Sequence, residues 1–204
     1  MAGGYATSIY GGSDINADIS YRCKVLITGG EAYMVFGGSN KLGSTLPTEV
    51  VVESGIVHYL FGGSNLTGDT INNNVFITGG EVLSAYGGNR DGGVASQTKV
   101  SVLGGDVGEV YGCGYGSETS CTLTNVLIEN INDKESTIYG GGYASTTTET
   151  KVLINSGLVG NIFGGNNTST GVVWLCFGST FLCMGSVFLK KSKEDNDSQD
   201  KQEK

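Results

Sequence analysis

Few side chains in this sequence could do chemistry, and they are poorly placed to act together. The only histidine, His58, stands between Val57 and Tyr59. No Ser or Cys nucleophile with a supporting acid can be read beside it, so a packed or exposed imidazole is expected there, not a catalytic one. Five cysteines are present. Cys113 and Cys121 flank one loop, and they could form a disulfide in an oxidising compartment or stand as two free thiols. No cysteine pair has the short spacing of a zinc knuckle, and Asp69, Asp91 and Asp106 occupy unrelated positions rather than a repeating calcium ladder. No metal site, cofactor or catalytic residue is therefore expected. Asn65, Asn166 and Asn167 each open an Asn-x-Ser/Thr tripeptide and are candidates for glycosylation in loops.

Positioning falls to a repeat. An aromatic residue followed by glycine recurs at Tyr10, Phe36, Phe61, Tyr86, Tyr111, Tyr139 and Phe163. Short β-branched runs begin at Val25, Val50, Val75, Val100, Val126 and Val152, keeping step with the aromatics. Stepping back from each valine by two gives Cys23, Thr48, Asn73, Thr98, Thr124 and Thr150, and by two more Tyr21, Leu46, Ile71, Ser96, Thr122 and Thr148. This period-2 alternation predicts a strand in every repeat, with these columns pointing inward. Gly30, Gly55, Gly80, Gly105 and Gly157 follow the strand and are suited to the positive φ of a tight turn. In one copy, Asn132 to Glu135 replace the Gly-Gly pair and read as a loop insertion. Gly3-Gly4-Tyr5-Ala6 matches Gly141-Gly142-Tyr143-Ala144, so the chain is expected to open inside a repeat.

A unit of about 25 residues cannot cover its own apolar face, but stacked on like units it can. The expected fold is an all-β parallel β-solenoid of about seven coils over residues 1–171. That part holds 33 of the 35 glycines and fifteen acidic residues against seven basic ones. Residues 172–189 form an uncharged apolar run, long enough to cross a bilayer as one helix. Residues 190–204 contain only Lys, Ser, Glu, Asp, Asn and Gln and should be disordered. Lys190, Lys191 and Lys193 at the end of the run place the tail in the cytoplasm and the repeats outside the cell. A net charge of −8 lacks the basic field that nucleic acid requires.

The Val-x-Ile, Gly-Gly, short strand and Tyr/Phe-Gly-Gly pattern resembles the glycine-rich repeats of adhesin-like surface proteins of bacteria and protozoa. The resemblance covers about residues 2–165 and implies a β-helix on a cell surface with an adhesive or structural role. It brings no catalytic residues. Expected partners are a protein or glycan of a host or neighbouring cell, the membrane through one helix, and a second rod through lateral self-association. The outward position after each valine is Leu26, Val51, Phe76, Ser101, Leu127 and Leu153, an apolar stripe that either the chain's own loops or a docking partner should cover. The alternative function is a polysaccharide lyase or hydrolase on the same frame, which needs clustered carboxylates on neighbouring coils. Arg22 and Arg90 are far apart, and Glu49, Glu53, Asp69, Glu81, Asp106 and Glu109 show no obvious column pair, so a non-enzymatic role is expected.

Overall fold

The computed structural model describes residues 1–15, 18, 19, 21–168 and, for the backbone alone, 172–177; the side chain of residue 132 is likewise outside the description. The described residues form a parallel β-solenoid of about six turns without a helix. Seven aromatic landmarks bound six turns, hence the difference from the seven coils expected. Strands lie in two rows. The first contains the leading halves of β2 (Cys23–Phe36) and β3 (Thr48–Phe61), then β4 (Asn73–Ile77), β6 (Gly92–Val102), β8 (Glu118–Ile128) and β10 (Thr146–Ile154). The second contains β1 (Ala2–Tyr10), the trailing halves of β2 and β3, then β5 (Glu81–Tyr86), β7 (Asp106–Tyr111), β9 (Ile131–Tyr139) and β11 (Gly157–Phe163).

Equivalent residues stand over one another. Val25, Val50, Val75, Val100, Val126 and Val152 are successive partners in the first row, and all are buried. Ile27, Val52, Ile77, Val102 and Ile128 form a second inward column and are fully buried. β-Branched side chains suit this, because they pack against like neighbours on a pleated surface.

The threonine column is also inward, and its role is polar. The Thr48 hydroxyl crosses the interior and donates to the Gly62 carbonyl at 2.6 Å. Thr98, Thr124 and Thr150 donate in the same way to Gly112, Gly140 and Gly164. Each supplies a donor to a carbonyl of the aromatic-Gly turn, satisfying a backbone group held away from water. The next column back departs from expectation. Tyr21 is 84% exposed and Ile71 42%, while the buried residues are Thr45, Thr70, Ala95, Cys121 and Thr147. The chain bends between the two runs, with Asn72 at φ 57°, and the inside position moves by one residue.

Glycine serves two purposes here. The five glycines after the valine strand have φ between 79° and 105°. At Gly80, for example, φ is 80° and a Cβ would stand 2.7 Å from the Gly55 carbonyl oxygen. Asn130 takes the positive φ, at 60°, in the copy without the glycine, a conformation that asparagine tolerates. Gly3 and Gly4 belong to this corner as well: Gly4 has φ 77°, and Tyr5 and Ala6 pair with Glu31 and Ala32. They do not match the loop at Gly141 to Ala144. The glycine after each aromatic is required by close approach instead. A Cβ at Gly62 would lie 2.5 Å from the Gly87 oxygen of the next coil.

The insertion at Asn132 to Glu135 is not a loop. It lies within β9, where Asp133 pairs with Val159 and Thr137 with Asn161, so two additional residues are absorbed between them. The Asp133 carboxylate accepts the Glu135 amide at 2.8 Å, and Ser136 Oγ donates to the Asp133 carbonyl, a local turn of the kind that short polar side chains stabilise. Of the apolar run 172–189 expected as a membrane helix, Val172–Phe177 form a strand, β12, paired with β10 from Glu149 to Ile154. An open parallel edge offers unpaired backbone groups that a β-branched apolar segment can satisfy. Residues 178–189 and the tail 190–204 lie outside the described residues. Among the described residues no helix is long and apolar enough to cross a membrane.

Candidate functional site

The end of each second-row strand carries an aromatic ring. Tyr10, Phe36, Phe61, Tyr86, Tyr111, Tyr139 and Phe163 stack face to face, with centroids 4.7–5.0 Å apart and planes within 14° of parallel. Second-row strands also show two consecutive non-core residues ahead of the last inward one, as at His58 and Tyr59 between the buried Val57 and Leu60. These positions stand in register, but their residue types change from coil to coil: Met34, Tyr59, Ser84, Glu109 and Thr137.

A groove of about 740 Å³ runs over this row, lined by residues of several coils. One end is apolar, lined by Tyr33, Met34, Tyr59 and Leu83. The other end holds Glu109 of β7, Asp133 and Glu135 of β9, and two loop rings, Tyr115 and Tyr143. Tyr115 and Tyr143 stack at 4.8 Å, and each meets a ring of the main stack edge-on, Tyr86 at 5.8 Å and Tyr111 at 6.1 Å. The Ser84 hydroxyl donates to Glu109 Oε2 at 3.2 Å, fixing that carboxylate at the mouth. Burial pushes the phenols of Tyr86 and Tyr111 above the ordinary tyrosine range. Ionisation of Tyr111 opposes that of Tyr86, and the Glu109 charge opposes that of Tyr111. Both rings stay neutral at physiological pH. Arg90 also lines the groove, but its guanidinium is held by Asp91 at 3.4 Å and by Asn65 Oδ1 at 2.8 Å.

Residues singled out from the sequence fall elsewhere, with one exception. Leu26, Val51, Phe76, Ser101, Leu127 and Leu153 form a continuous column on the outer side of the first row. Leu26 is 39% exposed. Val51, Phe76, Leu127 and Leu153 are half-buried. Ser101 is buried and its hydroxyl has no partner. Lys99 Nζ lies 5.8 Å from the centre of the Phe76 ring. Cys113 and Cys121 are joined in a disulfide and buried beside Ala95. Cys121 occupies the inner column that Ala95 and Thr147 share. Asn65 is only 8% exposed, and its Nδ2 donates to Asn40 Oδ1 at 2.8 Å. A glycan on that nitrogen is incompatible with the folded ladder. Asn166 Oδ1 accepts from the Gly142 amide and Thr147, and Asn167 Nδ2 reaches the Tyr111 hydroxyl at 3.5 Å. His58 Nε2 lies 2.9 Å from Glu31 Oε1.

The exception concerns the acids. Glu81 and Asp106 are partners in adjacent strands, and Glu109 lines the groove with Asp133 and Glu135, so acidic residues of neighbouring coils do share one row. Counting from the valines hid this, because the acids lie on the second row and β9 carries the additional residues. Among the described residues no three His, Cys, Asp or Glu side chains converge closely enough to hold a metal ion. The groove itself had one sequence signal: Tyr115 and Tyr143 are a repeat length apart. No family model, no curated protein and no solved structure matches the chain.

Proposed function

We propose that this chain is a non-enzymatic cell-surface repeat protein that presents a rigid solenoid for adhesion or surface assembly, as the resemblance of its repeats implies. The observation that supports this reading is the column Leu26, Val51, Phe76, Leu127 and Leu153, which lies in register along the first row and stays partly exposed. An apolar stripe on a strand face, here interrupted by Ser101 between Phe76 and Leu127, marks an interaction surface. Its partner is a protein or glycan of a neighbouring cell, or a second copy of the chain packed laterally. The Cys113–Cys121 disulfide suits an oxidising exterior. Anchorage by residues 172–189 belongs to the proposal and requires β12 to leave β10, since residues 178–189 alone are too short to span a bilayer.

The deciding experiment compares the full chain with a Phe76→Lys/Leu127→Lys variant by sedimentation and by attachment to cells. The two lysines should abolish association or attachment while circular dichroism stays unchanged. Unaltered association and attachment would remove the stripe from the account. The second reading, a polysaccharide-active enzyme, is favoured by Glu109, Asp133 and Glu135 lining one groove with Arg90. Release of reducing ends from a polysaccharide, lost in Glu109→Gln or Glu135→Gln, would establish it in place of the first.

A further inference from the structure

We propose that the second-row groove binds an organic ammonium ion carrying an apolar arm. The head would sit among Glu109, Asp133 and Glu135 beside Tyr115 and Tyr143, and the arm would run towards Tyr59 and Tyr33. Charge gives the first reason. Three carboxylates line that end, and the one guanidinium in the groove is already engaged by Asp91 and Asn65. The site is thus anionic within a chain of net charge −8, and such a field concentrates cations.

Ring geometry gives the second. Tyr115 is 41% exposed, and together with Tyr143 it places aromatic surface beside the acids. Aromatic rings attract weakly hydrated ammonium ions through their quadrupoles, and alkylated ammonium ions most characteristically. A small, strongly hydrated metal ion would not use such rings.

The polarity gradient gives the third. From the rung of Glu109 to that of Tyr33 is three strand spacings, roughly 14 Å, the reach of an extended dodecyl chain, and the lining over that distance includes Leu83, Tyr59 and Met34. The groove lies on the opposite row from the apolar stripe, so this binding stands or falls independently of the adhesive role.

The test is calorimetric titration of the full chain with dodecyltrimethylammonium below its micelle concentration, beside dodecyl maltoside and tetramethylammonium. Saturable one-site binding is expected for the first. The uncharged amphiphile and the bare head should each bind at least about tenfold more weakly, and added salt should weaken the first. Glu109→Gln/Glu135→Gln should cost about tenfold, Tyr115→Leu about two- to fivefold, and Tyr115→Phe little. Phe76→Lys should change nothing. Equal binding of dodecyl maltoside, or unchanged affinity in the Gln pair, would overturn the proposal. Because Glu109 and Glu135 are exposed, that pair remains decisive even where Tyr115→Leu perturbs the fold.

Discussion

The two rows of strands are built from one repeat, yet they differ in regularity. In the first row the partners from Thr48 to Val52 on β3, through β4, to Thr98 to Val102 on β6 run without a shift, and buried positions alternate with less buried ones except at Ser101, which is buried. In the second row β9 absorbs two additional residues, strands carry paired outward residues, and the outer set passes from His58 to Leu83 to Gly108. The regular row supplies the frame and an apolar stripe interrupted at Ser101. The irregular row supplies the groove, because only non-equivalent side chains can make one place on a periodic rod unlike another.

The comparison breaks most severely where coils touch. Gly62→Val should prevent folding or cost more than about 4 kcal/mol, since its Cβ would meet the Gly87 carbonyl oxygen at 2.5 Å and backbone cannot yield as a side chain can. Urea unfolding of the purified variant checks this. Ile77→Ala in the regular row should lose about 2–5 kcal/mol, whereas Leu83→Ala in the irregular row, where the side chain is 51% exposed, should change stability by less than about 0.5 kcal/mol. Reducing the Cys113–Cys121 disulfide, which spans eight residues, should cost about 2–3 kcal/mol. A melting temperature measured with and without reductant tests it, and the Cys113→Ala/Cys121→Ala variant should be insensitive to the reductant.

Alkali gives a subtler readout. The phenols of Tyr86 and Tyr111 are raised in the folded state, chiefly by burial, so the folded chain holds protons that the unfolded chain releases near pH 10. Their contribution to stability is complete below that pH and is lost as pH rises above it. The apparent unfolding free energy should therefore decline above about pH 10, and two tyrosines should ionise only as the chain unfolds when absorbance is followed. A Tyr86→Phe/Tyr111→Phe variant should show a shallower decline.

The regular row was the legible part. Val75 announces its column because Val50 and Val100 stand one repeat either side, and Gly80 announces its corner because the repeat places a glycine after every strand but one. The Tyr21 column departs from the alternation because alternation assumes a straight strand, and no residue before Asn72 signals the bend. Cys113 and Cys121 could not be paired by spacing alone. Their meeting depends on Cys121 lying in the inner column, which the same bend displaced. The run 172–189 reads as a helix by its length and lack of charge, and of it only Val172–Phe177, which pair as a strand, are described. The groove was least legible, since residue type changes from coil to coil along its column and Asp133 and Glu135 come from the additional residues of β9.

Equivalent residues climbing the rod by one strand spacing per repeat is the central claim, and spin-label distances test it most directly. Non-cysteine labels on the outward Lys24, Lys99 and Lys151 leave the disulfide intact. These positions are joined through Glu49, Asn74 and Asn125 by successive pairings. The account predicts backbone separations of roughly 14 Å between Lys24 and Lys99 and roughly 24 Å between Lys24 and Lys151, at about 4.8 Å per rung. Equal separations for the two pairs, or broad distributions with no increase along the chain, would contradict it.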